Sequence, residues 1–396
     1  MAHWEGLQRA SDVASRIALP ISDASARDRD SGSFGPGWTG YLHLDGILLS
    51  ELALLSLFGL VSLYGAGHGH FTLVEKQLIR VLLGFAVLVA VAQVPPVYYR
   101  LAAPWFYAAS LLLLTAVLVY GHTRLGAQRW LDLGFVRLEP TELMLLALPL
   151  MLTRHLSAAP PPPDWKRIGA SLILIGLPLA LILKQPDLGS ALLIGLIGVF
   201  CLFLSGIRWR YLVIGLLLVA ASTPVAWHFM HQYQRERILI FLNPERDPLG
   251  AGYHIIQSQI ALGSGGLFGR GLLHGSQTQL DFLPESTTDF IFAVIGEQFG
   301  LLGAFALIFL FLLLVQRTLW LATRMDARFG RLWTVTLAFI IFLYLVVNVG
   351  MVSGLLPVVG EPLPFISFGG SSIVTLMAGF GSIMNLSREP RLTHSR

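Results

Sequence analysis

The stretch FLPESTTDFIF, residues 282–292, sets Glu285 and Asp289 four residues apart, and the chain then turns almost wholly apolar. A carboxylate at the mouth of such a segment meets a low dielectric. That disfavours its charge and tightens its hold on a proton. An acid tuned in this way can serve as a general base. The competing reading is structural, with Asp289 paired to an arginine, and it is weakened because Glu285 could already cap the segment. Glu297 carries a similar cost two turns further in.

Three further clusters place polar groups where they are expensive. LEPTELMLLALPL holds Glu139 and Glu142 around Pro140. The proline suits a helix's first position, and Glu142 in the first turn suits the helix dipole. KQPDLGSALL, 184–193, sets Lys184 and Asp187 on either side of a proline; Asp187 can cap the next helix and Lys184 can offset its charge. VVGEPLPFISFGGSS, 358–372, breaks a helix at Pro362 and Pro364. Gly369 and Gly370 there permit close backbone approach, and N–H groups leading into Ser371 and Ser372 could receive an anion. Broken helices at membrane depth need protein or a cavity around them. His68 and His70, in GHGH, read as a solvated loop pair rather than a metal site.

The elements that must position these groups are membrane helices. Of 396 residues, 55% are hydrophobic and only 13% charged, against about 25% charged in soluble domains. The net charge of +4 is a topology signal. No basic stripe with interleaved aromatics appears, so a nucleic-acid partner is not expected. The single cysteine, Cys201, lies in an apolar run and excludes an internal disulfide. About ten runs approach the roughly 20 apolar residues a spanning helix needs. Their cores are 46–66, 77–94, 102–121, 141–155, 168–184, 188–206, 211–230, 290–316, 332–353 and 369–386.

The expected class is thus an all-α polytopic membrane protein. Residues 1–44 read as a flexible cytoplasmic tail without a cleavable signal, 45–388 as the transmembrane domain and 389–396 as a second cytoplasmic tail. Lys and Arg in short loops set the orientation. Placing both termini inside gathers Arg100, Arg154, Lys166, Arg167, Arg208, Arg210, Arg317, Arg324, Arg328 and Arg331 on the inner face. APPPPD, 159–164, is a stiff connector there. Two outer segments break the bias. Residues 122–140 carry Arg124, Arg129 and Arg137, and the long segment from about 231 to 289, between the seventh and eighth runs, carries Arg235, Arg237, Arg246 and Arg270. Arginines kept outside point to an anionic ligand; the alternatives are lipid headgroups or pairing with Glu236, Glu245 and Asp247. No internal repeat is evident, which disfavours repeat-built transporters.

Taken in order, GAQRWLDLG, QPDLGSALL, RDPLGAGYHIIQSQIALGSGG, FLPESTTDFIFAVIGEQFGLLG and NVGMVSGLLPVVGEPLPFISFGGSS resemble the SEDS family. These are the shape, elongation, division and sporulation proteins. The resemblance covers about residues 46 to 386 and leans towards the elongation enzymes. It implies ten helices in the bacterial inner membrane, cytoplasmic termini and a periplasmic active site. The implied activity is polymerisation of lipid II, a disaccharide-pentapeptide on undecaprenyl pyrophosphate. The family's essential acid falls on Asp289, which would activate the acceptor's GlcNAc 4-hydroxyl for attack on the donor's MurNAc anomeric carbon. Undecaprenyl pyrophosphate would leave with inversion, helped by arginines and a divalent cation, magnesium or manganese. Trp130 matches a family position near the site. The expected substrate-binding set is Trp130, Arg129, Glu142, Lys184, Asp187, Arg235, Arg246, Arg270, Glu285, Ser371 and Ser372. Implied partners are a class B penicillin-binding protein, which is a transpeptidase, and membrane proteins of the elongation complex.

One departure stands out. Where this chain reads EPTELMLL, the family usually reads QPSE followed by two residues and a lysine. Leu145 takes the lysine's place and Glu139 the glutamine's. Glu142 thereby loses a partner three residues away, and Arg137 and Lys184 are the candidates to compensate. The competing functions are a transporter that flips the same lipid and a scaffold that activates a partner. Polar groups concentrated at the outer end favour the enzyme.

Overall fold

The computed structural model describes residues 44–124, 127–132, 137–229, 232–248 and 250–388. Residues 1–43 of the expected N-terminal tail and the C-terminal tail from 389 lie outside the described residues, while Leu44 is buried. In chain order the helices are α1 (Gly46–Ala66), α2 (Phe71–Ala92), α3 (Pro96–Tyr120), α4 (Pro140–Ser157), α5 (Trp165–Lys184), α6 (Leu188–Leu204), α7 (Trp209–Phe229), α8 (Gln232–Leu242), α9 (Ala251–Ser264), α10 (Ser276–Gln279), α11 (Ile291–Thr323), α12 (Arg328–Val352) and α13 (Ser371–Leu386). Between α3 and α4 lie three short antiparallel strands, β1 (His122–Arg124), β2 (Ala127–Asp132) and β3 (Arg137–Leu138), with β2 central.

Among the described residues, five helices are long and apolar enough to cross a membrane: α1, α3, α5, α11 and α12. Shorter apolar helices lie at Leu188–Leu204, Trp209–Ser222 and Ser371–Leu386. Helix α12 is the axis of the bundle. Its apolar window is 67% buried, against 22–39% in the other four. Helices α4, α6, α11 and α13 pack around it, and α13 lies along α2. Outward-facing side chains such as Leu54, Leu82, Trp105, Leu112 and Phe309 are exposed, as a lipid-facing surface requires.

Helix starts follow local chemistry. Asp45 accepts from the Leu48 N–H at 2.8 Å and so caps α1. Pro140 opens α4 where its missing N–H costs nothing. Helix α2 begins at Phe71, six residues before the apolar run starts. Glu75 and Lys76 interrupt apolarity there, but both are good helix formers. The outer segment is not a plain loop, because α8, α9 and α10 occupy much of it.

Interior polar groups bind backbone carbonyls across helices. Gln185 Nε2 donates to Leu114 O at 2.9 Å, Asn385 Nδ2 to Ala92 O at 2.6 Å and Gln77 Nε2 to Ser367 O at 2.9 Å. Such pairing offsets the cost of burying an amide. Near the other end, Arg317 grips Asp45 with two bonds, Nη2 to Oδ2 at 2.6 Å and Nε to Oδ1 at 3.2 Å.

Helix α11 runs 33 residues but breaks at Gly300, whose φ of 67° and ψ of −164° are not helical. Its hydrogen bonds are exchanged there with the preceding loop. Leu301 N donates to Gly266 O at 2.9 Å and Leu302 N to Leu267 O at 3.2 Å. In return Arg270 N donates to Glu297 O at 2.9 Å and Gly271 N to Gln298 O at 3.0 Å. A Cβ at Gly300 would meet Leu267 O at 2.6 Å, so this close approach requires glycine.

Candidate functional site

Asp289 sits two residues before α11, on a turn over residues 285–290. Glu285 adopts φ 49°, and its carbonyl accepts from Thr288 N at 3.1 Å and Phe290 N at 3.2 Å. The turn is sewn to the broken segment 358–370. Phe368 N donates to Thr287 O at 2.8 Å, and Ser367 Oγ to Thr288 O at 2.7 Å. Arg80 braces the segment from α2, with its guanidinium 4.2 Å from the Phe368 ring centroid. Gly360, at φ 81°, passes beneath Asp289; a Cβ there would lie 3.3 Å from Oδ2. Asn348 of α12, fully buried, donates from one Nδ2 to both Asp289 O and Glu361 O at 2.9 Å. The backbone of the acid is thus fixed from α12 and from the segment below it.

A second group of carboxylates lies deeper. Tyr344, buried on α12, is within electrostatic reach of Glu361, Glu142, Glu139 and Asp187. Asp187 is wholly buried and caps α6, accepting from Ser190 N at 3.2 Å. Ser190 Oγ stands 2.8 Å from both Asp187 Oδ2 and Glu361 Oε1. Ser371 and Ser372, at the start of α13, turn their hydroxyls to Glu142, whose Oε2 is buried without a hydrogen bond. These serines thus have a carboxylate beside them at the start of α13. Leu145, one helical turn along α4 from Glu142, is buried in the core.

Trp130 lies on β2 opposite His122 and is partly exposed. The side chains of Arg124, Arg129 and Arg137 lie outside the described residues. Lys184 is exposed at the end of α5, and Asp187, three residues further on, is buried. Arg246 is exposed, and Arg235 Nη2 bonds His228 O at 2.7 Å. Arg270 reaches Ser264 O at 3.1 Å and Ser276 Oγ at 2.9 Å, holding its own loop. Glu297 is a scaffold acid: Oε1 accepts from Gln277 N at 2.8 Å, and Oε2 from Thr278 N at 3.1 Å and Thr278 Oγ1 at 2.7 Å, which caps α10. His68 pairs with Asp281 at 3.3 Å.

Four residues at the site are absent from the sequence-based set: Glu361, Ser190, Asn348 and Tyr344. Glu361 carried a signal as the single acid in VVGEPLPFISFGGSS. The others are ordinary helix residues, and only folding brings them together. His254 of α9 stacks on Phe290, next to Asp289, with ring centroids 6.0 Å apart. Burial pushes its pKa down, opposed by the charge of Glu285. Among the described residues no three His, Cys, Asp or Glu side chains converge to hold a metal ion. The residues do not fit a cation caged by protein alone.

Long apolar helices around buried carboxylates define a multi-pass membrane protein with an acid site at one end of its bundle. The cell cycle protein family that groups FtsW, RodA and SpoVE matches residues 42–392, and the chain belongs to that family. The peptidoglycan glycosyltransferase MrdB of Escherichia coli (strain K12) is 48% identical over 346 residues, which is 87% of this chain and 94% of that protein. MrdB of Helicobacter pylori (strain ATCC 700392 / 26695) is 39% identical, covering 78% of this chain and 82% of its own. Among solved structures, a chain of a peptidoglycan synthase complex that coordinates polymerization and crosslinking aligns with TM-score 0.75 at 35% identity, covering 87% of this chain and 97% of that one. The rod shape determining protein RodA of Thermus thermophilus aligns with TM-score 0.67 at 29% identity, covering 88% and 98%.

Proposed function

We propose that this chain is a peptidoglycan glycosyltransferase of the elongation type that polymerises lipid II on the outer face of the bacterial inner membrane. The observation that carries the reading is the seating of Asp289. Its backbone is held by Asn348, and its carboxylate lies over Gly360, where no side chain intervenes. An acid so fixed can take the proton from an acceptor sugar hydroxyl as that oxygen attacks the donor's anomeric carbon. The bond to the pyrophosphate oxygen breaks, and undecaprenyl pyrophosphate leaves. Negative charge grows on that leaving group, and cationic groups at the outer face would favour its departure. A divalent cation, magnesium or manganese, fits as one that arrives with the pyrophosphate, liganded mainly by its oxygens and water.

The same reading assigns ten spans to α1–α7 and α11–α13, with both termini cytoplasmic and α8–α10 on the periplasmic side. It also assigns a class B penicillin-binding protein as partner, in line with the synthase-complex relative. The test is strand synthesis from lipid II by the purified protein with a transpeptidase-inactive partner, beside Asp289→Asn. Long strands from wild type and none from a folded variant are expected. Equal synthesis by both would overturn the assignment of Asp289. No synthesis by folded wild type, together with lipid flipping in vesicles, would favour transport.

A further inference from the structure

A charged side chain within a membrane helix is costly and marks a partner or a task. Arg80 lies inside the apolar stretch of α2 and is only partly exposed. Among the described residues no carboxylate pairs with it. Its hydrogen bond from Nη1 to Gln77 Oε1 is long at 3.5 Å, and that oxygen already accepts from Gly369 N at 3.3 Å. The guanidinium instead lies over the Phe368 ring, 4.2 Å from its centroid. An arginine held over an aromatic ring keeps the N–H groups in the plane of its fork for a second partner. Gly370 lets it lie close to the start of α13: a Cβ there would be 3.3 Å from Nε and 3.4 Å from Cδ.

The place suits an anion at the Asp289 end of the bundle. Phe368, under Arg80, donates its N–H to Thr287 O at 2.8 Å, on the turn that carries Asp289. Beside Arg80 an exposed apolar stripe begins on α2, formed by Ile79, Leu83, Ala86 and Ala90 at helical spacing. An anionic head at Arg80 with an apolar chain along that stripe has the form of a polyprenyl diphosphate. We propose that Arg80 binds the pyrophosphate of the lipid substrate and of the released undecaprenyl pyrophosphate, with the prenyl chain laid along α2. This rests on the polymerase reading. A guanidinium fork donates two parallel bonds to phosphate oxygens. The charge those bonds meet grows as the bond to the sugar breaks. A cation for the leaving group thus comes from a membrane helix, in addition to the arginines of the outer segments.

The test is binding of undecaprenyl pyrophosphate to the purified protein in nanodiscs of zwitterionic lipid, with thermal unfolding alongside. Undecaprenol and phosphatidylglycerol are the comparison probes. Arg80→Gln should weaken undecaprenyl pyrophosphate binding about 10-fold or more and leave undecaprenol binding unchanged. Arg80→Lys keeps the charge without the fork and should fall between. Unchanged pyrophosphate affinity in Arg80→Gln overturns the proposal. An equal loss for undecaprenol also overturns it, since Arg80 would then only brace the segment 358–370. An equal loss for phosphatidylglycerol does the same, since Arg80 would then anchor any anionic lipid. Should the variants not fold, phenylglyoxal labelling of wild type decides. Undecaprenyl pyrophosphate should protect Arg80, and a residue left unprotected or unreactive overturns the proposal, because a headgroup needs the same access. Strand synthesis separates the site from the polymerase reading. Strands from wild type, with normal pyrophosphate binding by Arg80→Gln, refute the site alone. Binding through Arg80 in a wild type that makes no strands supports the site and refutes the polymerase.

Discussion

Asn348→Leu isolates the seat of Asp289. The side chain is fully buried, and its single Nδ2 donates to Asp289 O and Glu361 O, both at 2.9 Å. Leucine has the same heavy-atom branching, with two bulkier methyl groups, and no donor. Two buried carbonyls lose a hydrogen bond, and an unsatisfied buried group costs about 1–3 kcal/mol. The turn over 285–290 keeps its bonds from Phe368 N and Ser367 Oγ, so it should loosen without dissolving. A loss of about 2–3 kcal/mol in the held geometry corresponds to a rate lower by roughly 30- to 150-fold. The assay is gel-resolved strand synthesis from fluorescent lipid II, with thermal unfolding in parallel. The expected result is a large fall in rate with a modest fall in unfolding midpoint. Synthesis within about three-fold of wild type, with unchanged unfolding, would show that the amide does not position Asp289.

Leu145→Lys should raise strand synthesis, because an ammonium three residues from Glu142 on the same helix face can pair with it; no gain in the same gel assay counts against this. Arg317→Met should lower the thermal midpoint, since buried Asp45 would lose both bonds from Arg317; breaking a buried pair costs about 3–5 kcal/mol, and less here because Arg388 also acts on Asp45. Adding Asp45→Asn should recover most of it, because asparagine still caps α1; a double variant as unstable as the single one would refute the pairing argument. His254 gives a pH dependence of known sign. Burial lowers its folded pKa, so its contribution to stability is present above the unfolded value of about 6.5 and is lost as pH falls through the folded value. His254→Phe should flatten the acid-side decline in unfolding midpoint, and an unchanged decline would place its origin elsewhere.

The helices were readable because apolar length is a strong signal, and an apolar run fell on each of α1–α7 and α11–α13. The outer segment was read as one loop because its helices α8–α10 are short and mixed in polarity, so neither length nor period marks them. The first-turn place of Glu142 and the capping by Asp187 were legible, as both follow from neighbours within a few residues. Ser190, Asn348 and Tyr344 were not, because each acts on residues far away in sequence. Ser190 meets Glu361 across 171 positions. The meeting of Ser371 and Ser372 with Glu142 was not legible either, because only the fold brings α4 to the start of α13.

The exchange of hydrogen bonds at Gly300 has a mechanical meaning. An unbroken helix of 33 residues would be roughly 50 Å long and stiff from end to end. At the break, the outer piece no longer passes its load down its own ladder. Two of its carbonyls, at Glu297 and Gln298, are tied to Arg270 and Gly271, while Leu301 and Leu302 below it are tied to Gly266 and Leu267. Glu297 adds α10 to the same piece. Residues 265–299 therefore form a clamped knuckle with Asp289 inside it, hinged on an anchor that stays in the bilayer. Whatever tugs on the exposed surface of that knuckle displaces Asp289 directly, without having to touch its carboxylate.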